Sequence, residues 1–254
     1  MCKPSPLTGD EGSLRRHDFG SHLAFRGFNG RWAHGHAAGD FFCGAAAVSE
    51  TVVEEAAARK QTLREELTAR RKAMTPDIID TRGLKVQSRF LATPYYQKAR
   101  TVALYAPIRG EVPTRDILIA ALQDDKIVCY PLSHVHGRIL SFRAIKSESE
   151  LEPGRLGVRE PSNSSDLIPV DQIDLFVVPG LGFTRDGKRL GRGGGYYDAT
   201  LRAASQRSRR VGLAFNDQVV QVLPTTGDDV DMDLIVTESE SLRGLYRDWD
   251  FLDT

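Results

Sequence analysis

Val177-Val178-Pro179-Gly180-Leu181-Gly182-Phe183, followed by Arg189-Leu190-Gly191-Arg192-Gly193-Gly194-Gly195-Tyr196-Tyr197-Asp198, decides how this chain is read. An apolar strand, a glycine loop flanked by arginines and a carboxylate stand there in direct succession. In open α/β sheets ligands bind where strands end and loops lead into helices. Residues without a Cβ let the loop take positive φ and turn successive N–H groups onto one anion. The helix that should open near Tyr197 adds the partial positive charge of its N-terminus. The order suits a phosphate site. The segment lacks the GxxxxGK[ST] of a P-loop, and Gly191-Arg192-Gly193-Gly194-Gly195-Tyr196 ends in tyrosine where a GxGxxG fingerprint needs glycine, so both of those loops are excluded. Three glycines taken alone also fit a tight turn.

Working outward, strands and helices alternate. Short strands are predicted at 101–106, 126–132, 139–145, 173–179, 210–215 and 233–237, and helices at 114–122 and 197–204. Before them, Thr75-Pro76-Asp77 reads as an N-cap, a proline at N1 and a first-turn acid, opening a helix towards Leu91 that Thr93-Pro94 stops. From Glu54 a further helix carries Leu63, Leu67 and Met74 on one face and Lys60, Arg64 and Arg71 on the adjacent stripe. On periodicity alone that stripe could be a solvated face, because Glu65 and Glu66 can pair with it. The fold class expected is α/β: a single three-layer domain, with a largely parallel sheet covered by helices on both faces.

Residues 1–54 differ from the rest. They hold eight of the 23 glycines, four of the six histidines (His17, His22, His34 and His36) and no sustained apolar periodicity. They are expected to form a low-order N-terminal extension. His34 and His36 have no carboxylate or cysteine at regular ligand spacing and read as solvated loop histidines. Asp10, Glu11, Asp18 and Asp40 weigh against a secretory signal and against a transit peptide.

With 34 basic and 34 acidic residues the chain has no net charge, which argues against a general nucleic-acid or membrane-surface binder. The 254 residues, 41% of them apolar, suffice for one large α/β domain. Cys2, Cys43 and Cys129 are far apart, so a reduced, cytoplasmic setting is expected and no disulfide framework. No apolar run reaches the roughly eighteen residues of a membrane span.

The flanking residues carry a resemblance. From Lys60 to the chain end the sequence resembles the 5-formyltetrahydrofolate cyclo-ligase family, also called methenyltetrahydrofolate synthetase. The segments, in order, are Lys60-Gln61-Thr62-Leu63-Arg64 with Arg70-Arg71, then Glu111, then Leu156-Gly157-Val158-Arg159-Glu160-Pro161. The long block from Pro179 to Asp198 follows, then Gly212-Leu213-Ala214-Phe215 and Asp231-Met232-Asp233. Residues 55–254 would thus form a cyclo-ligase-like α/β domain. The resemblance implies that Lys60 and Arg64 reach the phosphates of ATP and that Arg189, Leu190, Gly191, Arg192, Gly193, Gly194, Gly195, Tyr196 and Tyr197 form the ATP loop. Lys60 and Arg189 would carry catalysis, and Asp198 and Asp233 would be Mg²⁺-associated carboxylates. Ala106 and Glu111 would line the folate pocket, with Arg192 and Tyr196 between nucleotide and folate. Read without the resemblance, Asp198 could be a first-turn acid and Asp233 a turn acid, and Tyr197 is the tyrosine assigned to the core. His134 and His136 read as surface residues of a hairpin.

The chain departs from the family pattern at Gly194, where some members carry a lysine, and at Thr184, where members often have aspartate. The implied reaction is ATP-dependent cyclisation of 5-formyltetrahydrofolate to 5,10-methenyltetrahydrofolate, with ADP and phosphate released. The implied partners are those two substrates and Mg²⁺, with no nucleic acid or membrane, and a monomer is expected. Two alternatives come from other classes. One is a module that binds folate or nucleotide without turnover; the other is a sugar-phosphate isomerase, which would need an acid/base carboxylate or histidine beside the loop.

Overall fold

A computed structural model describes residues 50–134, 137–225 and 227–244. The extension expected at 1–54 lies outside these residues up to position 49, and His136 also falls outside them. The chain runs α1 (Glu50–Lys72), α2 (Pro76–Leu91), α3 (Pro94–Lys98), β1 (Thr101–Ala103), α4 (Arg115–Gln123), β2 (Ile127–Ser133) and β3 (Leu140–Ala144). It continues through β4 (Leu151–Pro153), β5 (Arg159–Pro161), β6 (Leu167–Ile168), β7 (Leu175–Val178), β8 (Gly182–Thr184) and β9 (Arg189–Leu190). The last elements are α5 (Tyr196–Ala203), β10 (Arg209–Leu213), β11 (Val219–Val220), β12 (Leu234–Val236) and β13 (Ser241–Arg243).

Eight strands form one sheet in the order β13-β12-β10-β7-β1-β2-β3-β6. The five central strands, β12, β10, β7, β1 and β2, are mutually parallel, and antiparallel strands close both edges. Central parallel strands are buried on both faces, which is why Leu175–Val178 is apolar at every position. Val102, Val128, Leu175, Val177, Val211 and Leu234 pack on one face against Val86 and Phe90 of α2 and Ile117 and Leu118 of α4. Ala103, Cys129, Phe176, Val178 and Ile235 pack on the other face with Leu201 of α5. These are the three layers the alternation of elements predicts.

The Thr93-Pro94 stop has a second consequence. It ends α2, and it also starts α3, because the Thr93 hydroxyl accepts the Tyr96 N–H at 3.3 Å and Pro94 occupies the first turn. Met74 departs from the expected α1 face. It lies beyond the end of the helix and packs with α2 and α4, whereas Leu63 and Leu67 pack with Leu181, Leu190 and Leu223. The latter group fastens α1 across the small sheet β11-β8-β9, with Leu67 in van der Waals range of Gly182. α1 is thereby held beside the carboxyl ends of the central strands.

Candidate active site

One cavity of about 950 Å³ opens at those carboxyl ends, between α1, the loops after β1 and β7, the ends of β2 and β5, and the glycine loop. Lys60, Arg64 and Arg71 all line it, so the charged stripe of α1 faces the cavity. Ala106, Glu111 and every residue from Arg189 to Asp198 line it as well.

The glycine loop is shaped by left-handed backbone at Gly193 (φ +98°) and Gly195 (φ +70°), conformations that a residue with a Cβ adopts at a cost. Gly195 is the N-cap of α5. Among the described residues the N–H groups of Gly193, Gly194 and Gly195 have no protein acceptor. Arg64 steadies the loop from α1, its Nε donating to the Gly191 carbonyl at 3.1 Å. A Cβ at Gly194 would stand 2.9 Å from the Tyr196 ring. A lysine at that position would therefore require the ring to turn.

Arg189 is 7% exposed and binds the Pro179 carbonyl at 3.1 Å and the Asp198 carboxylate at 2.8 Å, with its guanidinium over the Tyr197 ring at 5.7 Å. Its Nε is buried without a partner. The Asp198 carboxylate also accepts the Val230 N–H at 3.3 Å. Burial pushes the Tyr197 hydroxyl well above its usual range and keeps it protonated. Tyr197 both lines the cavity and packs on the α5 face of the sheet, so it is not confined to the core. Leu190 is buried against α1, and its carbonyl accepts the Leu181 N–H at 2.8 Å.

Glu111 is the hub of the β1 loop. One of its oxygens faces Arg192 at 3.1 Å and Arg71 at 3.6 Å, and the other accepts the Ile108 N–H at 3.1 Å. Arg71 is 3% exposed, and burial lowers its pKa while Glu111 opposes that shift. Glu111 therefore compensates one buried cation and aims a second, half-exposed one into the cavity.

Asp233 is placed elsewhere. Its carboxylate accepts the Arg210 N–H at 2.7 Å, and it is not among the residues lining the cavity. The reason is strand polarity: Asp233 precedes β12 and so sits at the amino end of a parallel strand, away from the carboxyl ends that border the cavity. Of the neighbouring acids 228–233, Asp229 lines the cavity, where it pairs with Lys60 at 2.7 Å. The acidic run Asp228-Asp229-Val230-Asp231-Met232-Asp233 contained the signal, but its alternation could not say which member turns inward. Asp198 and Asp229, two carboxylates beside the glycine loop, suit Mg²⁺, which takes one or two protein carboxylates and completes its shell with other oxygens and water. No cluster of three or more His, Cys, Asp or Glu ligands occurs among the described residues, so a self-sufficient protein cage is not what these residues form.

Thr184 is buried in the β8–β9 turn, where its hydroxyl bonds Asp186 and accepts the Lys188 N–H, and it does not reach the cavity. His134 is exposed and bonds Ser141 across the β2–β3 hairpin, as a surface histidine does.

Fold and site together define an α/β protein with a cation-rich, glycine-looped cavity at the carboxyl ends of its strands. The comparisons with known proteins narrow this class. A profile of the 5-formyltetrahydrofolate cyclo-ligase family matches residues 56–238, and the chain belongs to that family. It is 32% identical over 173 residues to 5-formyltetrahydrofolate cyclo-ligase of Escherichia coli K12, covering 66% of this chain and 94% of the bacterial one. It is 28% identical over 172 residues to the mouse protein of the same name, covering 62% and 82%. Among solved structures, Aquifex aeolicus 5,10-methenyltetrahydrofolate synthetase superposes with a TM-score of 0.65 at 31% identity, covering 74% of this chain and 96% of that one. The synthetase from Mycoplasma pneumoniae superposes with a TM-score of 0.58 at 25% identity, covering 71% and 99%.

Proposed function

We propose that the protein is a 5-formyltetrahydrofolate cyclo-ligase that uses ATP to close 5-formyltetrahydrofolate to 5,10-methenyltetrahydrofolate. The observation that carries this reading is the glycine loop, whose three unpartnered N–H groups share one cavity with Lys60, Arg64, Arg189 and Arg192. Charge-assisted hydrogen bonds contribute about 1.5–3 kcal/mol each, so three or four of them hold a triphosphate at about micromolar affinity.

The N5-formyl group is an amide, and its oxygen leaves poorly when N10 attacks. Transfer of the γ-phosphoryl group of ATP to that oxygen breaks the β–γ phosphoanhydride, releases ADP and leaves an N5 iminium phosphate. N10 then adds to the formyl carbon and gives up its proton to solvent, and the departing phosphate carries the former formyl oxygen away. No enzyme nucleophile takes part. The protein positions the two substrates and neutralises charge on the transferred group.

Lys60 and Arg64 reach in from α1, and Arg192 projects from the loop under the control of Glu111. Arg189, tied to Pro179 and Asp198, fixes the carboxylate and supplies positive charge from below. Ala106, Glu111 and Tyr196 border the folate part. Asp198 and Asp229 are the carboxylates that would hold Mg²⁺, which would supply charge neutralisation to the phosphates. Among the described residues no helix is long and apolar enough to cross a membrane.

Purified protein with 5-formyltetrahydrofolate, Mg²⁺ and ATP should yield the near-ultraviolet absorbance of 5,10-methenyltetrahydrofolate, with one ADP per product. Absence of product from folded, ATP-binding protein would leave a ligand-binding module in its place.

A further inference from the structure

One buried carboxylate in the cavity faces neither the glycine loop nor an arginine partner among the described residues. Glu160 lies on β5, is 8% exposed and lines the cavity, yet it has no ion-pair partner among the described residues. One oxygen accepts the Ser133 hydroxyl at 2.5 Å and the Ser133 N–H at 3.4 Å; the other accepts the Arg155 N–H at 3.5 Å. Two of these three contacts are long, and a carboxylate has about four lone-pair sites, so acceptor capacity remains. Its position is built. A Cβ at Gly154 would come within 2.7 Å of the Glu160 side chain, which shows how closely the hairpin packs on it. Pro131, Leu140 and Val158 add apolar lining to the same cavity, Leu140 as the cross-strand partner of Ser133 and Val158 two residues before Glu160.

A buried anion without a cation is costly unless something donates to it. Glu111 differs in this respect, since two arginines already satisfy it. The ligand that would satisfy Glu160 is flat, with an apolar face and two parallel N–H donors on one edge. A 2-amino-4-oxopteridine has that form, because its N3–H and C2–NH₂ meet a carboxylate as a fork. Adenine does not, since its N1 is an acceptor beside the amino group.

Resting on the cyclo-ligase reading, we infer that Glu160, braced by Ser133, receives the N3–H and 2-amino edge of the folate pteridine and so determines specificity at that end of the cavity. The same donor edge occurs in guanine, and the test separates the two.

Equilibrium dissociation constants would be measured for 5-formyltetrahydrofolate, its 2-desamino analogue, ATP and GTP, with wild type and Glu160→Gln. The expected result is a folate affinity about ten- to a hundredfold weaker in E160Q, as loss of one charge-assisted interaction implies. The 2-desamino compound should bind wild type weaker than the parent by a similar factor and be changed less than about threefold by E160Q. ATP binding should be the same in both proteins, which also verifies folding. Unchanged folate affinity in E160Q, or equal weakening of parent and analogue, would overturn the inference. So would a wild-type preference for GTP that E160Q removes. The analogue comparison on wild type needs no variant to fold. Because binding is measured rather than turnover, folate binding with this signature but no product would refute the cyclo-ligase reading while leaving the Glu160 contact standing.

Discussion

Replacing Glu111 with glutamine would remove one negative charge from the centre of the site while keeping the size of the side chain. Arg71 would then be a nearly fully buried cation whose remaining hydrogen bond among the described residues is to the Gly180 carbonyl at 3.4 Å. Arg192 has 36% side-chain exposure and can turn to water, so the loss falls chiefly on Arg71. Breaking a buried pair from one side costs about 3–5 kcal/mol, because the uncompensated charge stays behind. At about 2–4 °C per kcal/mol for a domain of this size, E111Q should lower Tm by about 6–20 °C. Replacing both members with neutral residues should cost far less than the sum of the single changes. Thermal unfolding of wild type, E111Q, R71M and the double variant closes the cycle. A loss below about 1 kcal/mol in E111Q, or a double variant equal to the sum, would refute this account of Glu111.

Lys60→Ala removes one charge-assisted phosphate contact and should raise the KM for ATP about ten- to a hundredfold with the folate KM within about twofold; equal rises in both would point to damage to the fold. Turnover should cease on chelation of Mg²⁺, and Asp229→Asn should raise the Mg²⁺ concentration required whereas Asp233→Asn should not; the opposite ranking would return the second metal position to Asp233. The Cys129 thiol is fully buried and its pKa is pushed up by burial, so at pH 8 it stays protonated and inert. Peptide mapping after alkylation should find it unmodified in native protein and modified after denaturation; rapid native labelling would contradict the packing described.

Much of the site was legible in the sequence because its signals are local. Gly193 and Gly195 take the positive φ that their lack of a side chain permits, and the strand and helix around them fall within a residue or two of the expected limits. The stripe of Lys60, Arg64 and Arg71 follows from helical periodicity, although only the cavity shows that it is not a solvated face. What escaped depends on long-range placement. β8, β9 and β11 are two or three residues long, too short for any periodicity, yet they carry Arg189 and fasten α1. The choice between Asp229 and Asp233 turned on strand polarity. Glu160 stood in a quoted segment without a role, because a lone glutamate in sequence does not reveal that it is buried and lacks a cation.

The central claim is that ATP phosphorylates the formyl oxygen. Substrate carrying heavy oxygen in its N5-formyl group, converted to completion with ATP, tests it by mass analysis of the phosphate released. Each inorganic phosphate should carry one labelled oxygen. Label appearing in water with unlabelled phosphate would contradict it, because the oxygen would then have left without ever bonding to phosphorus.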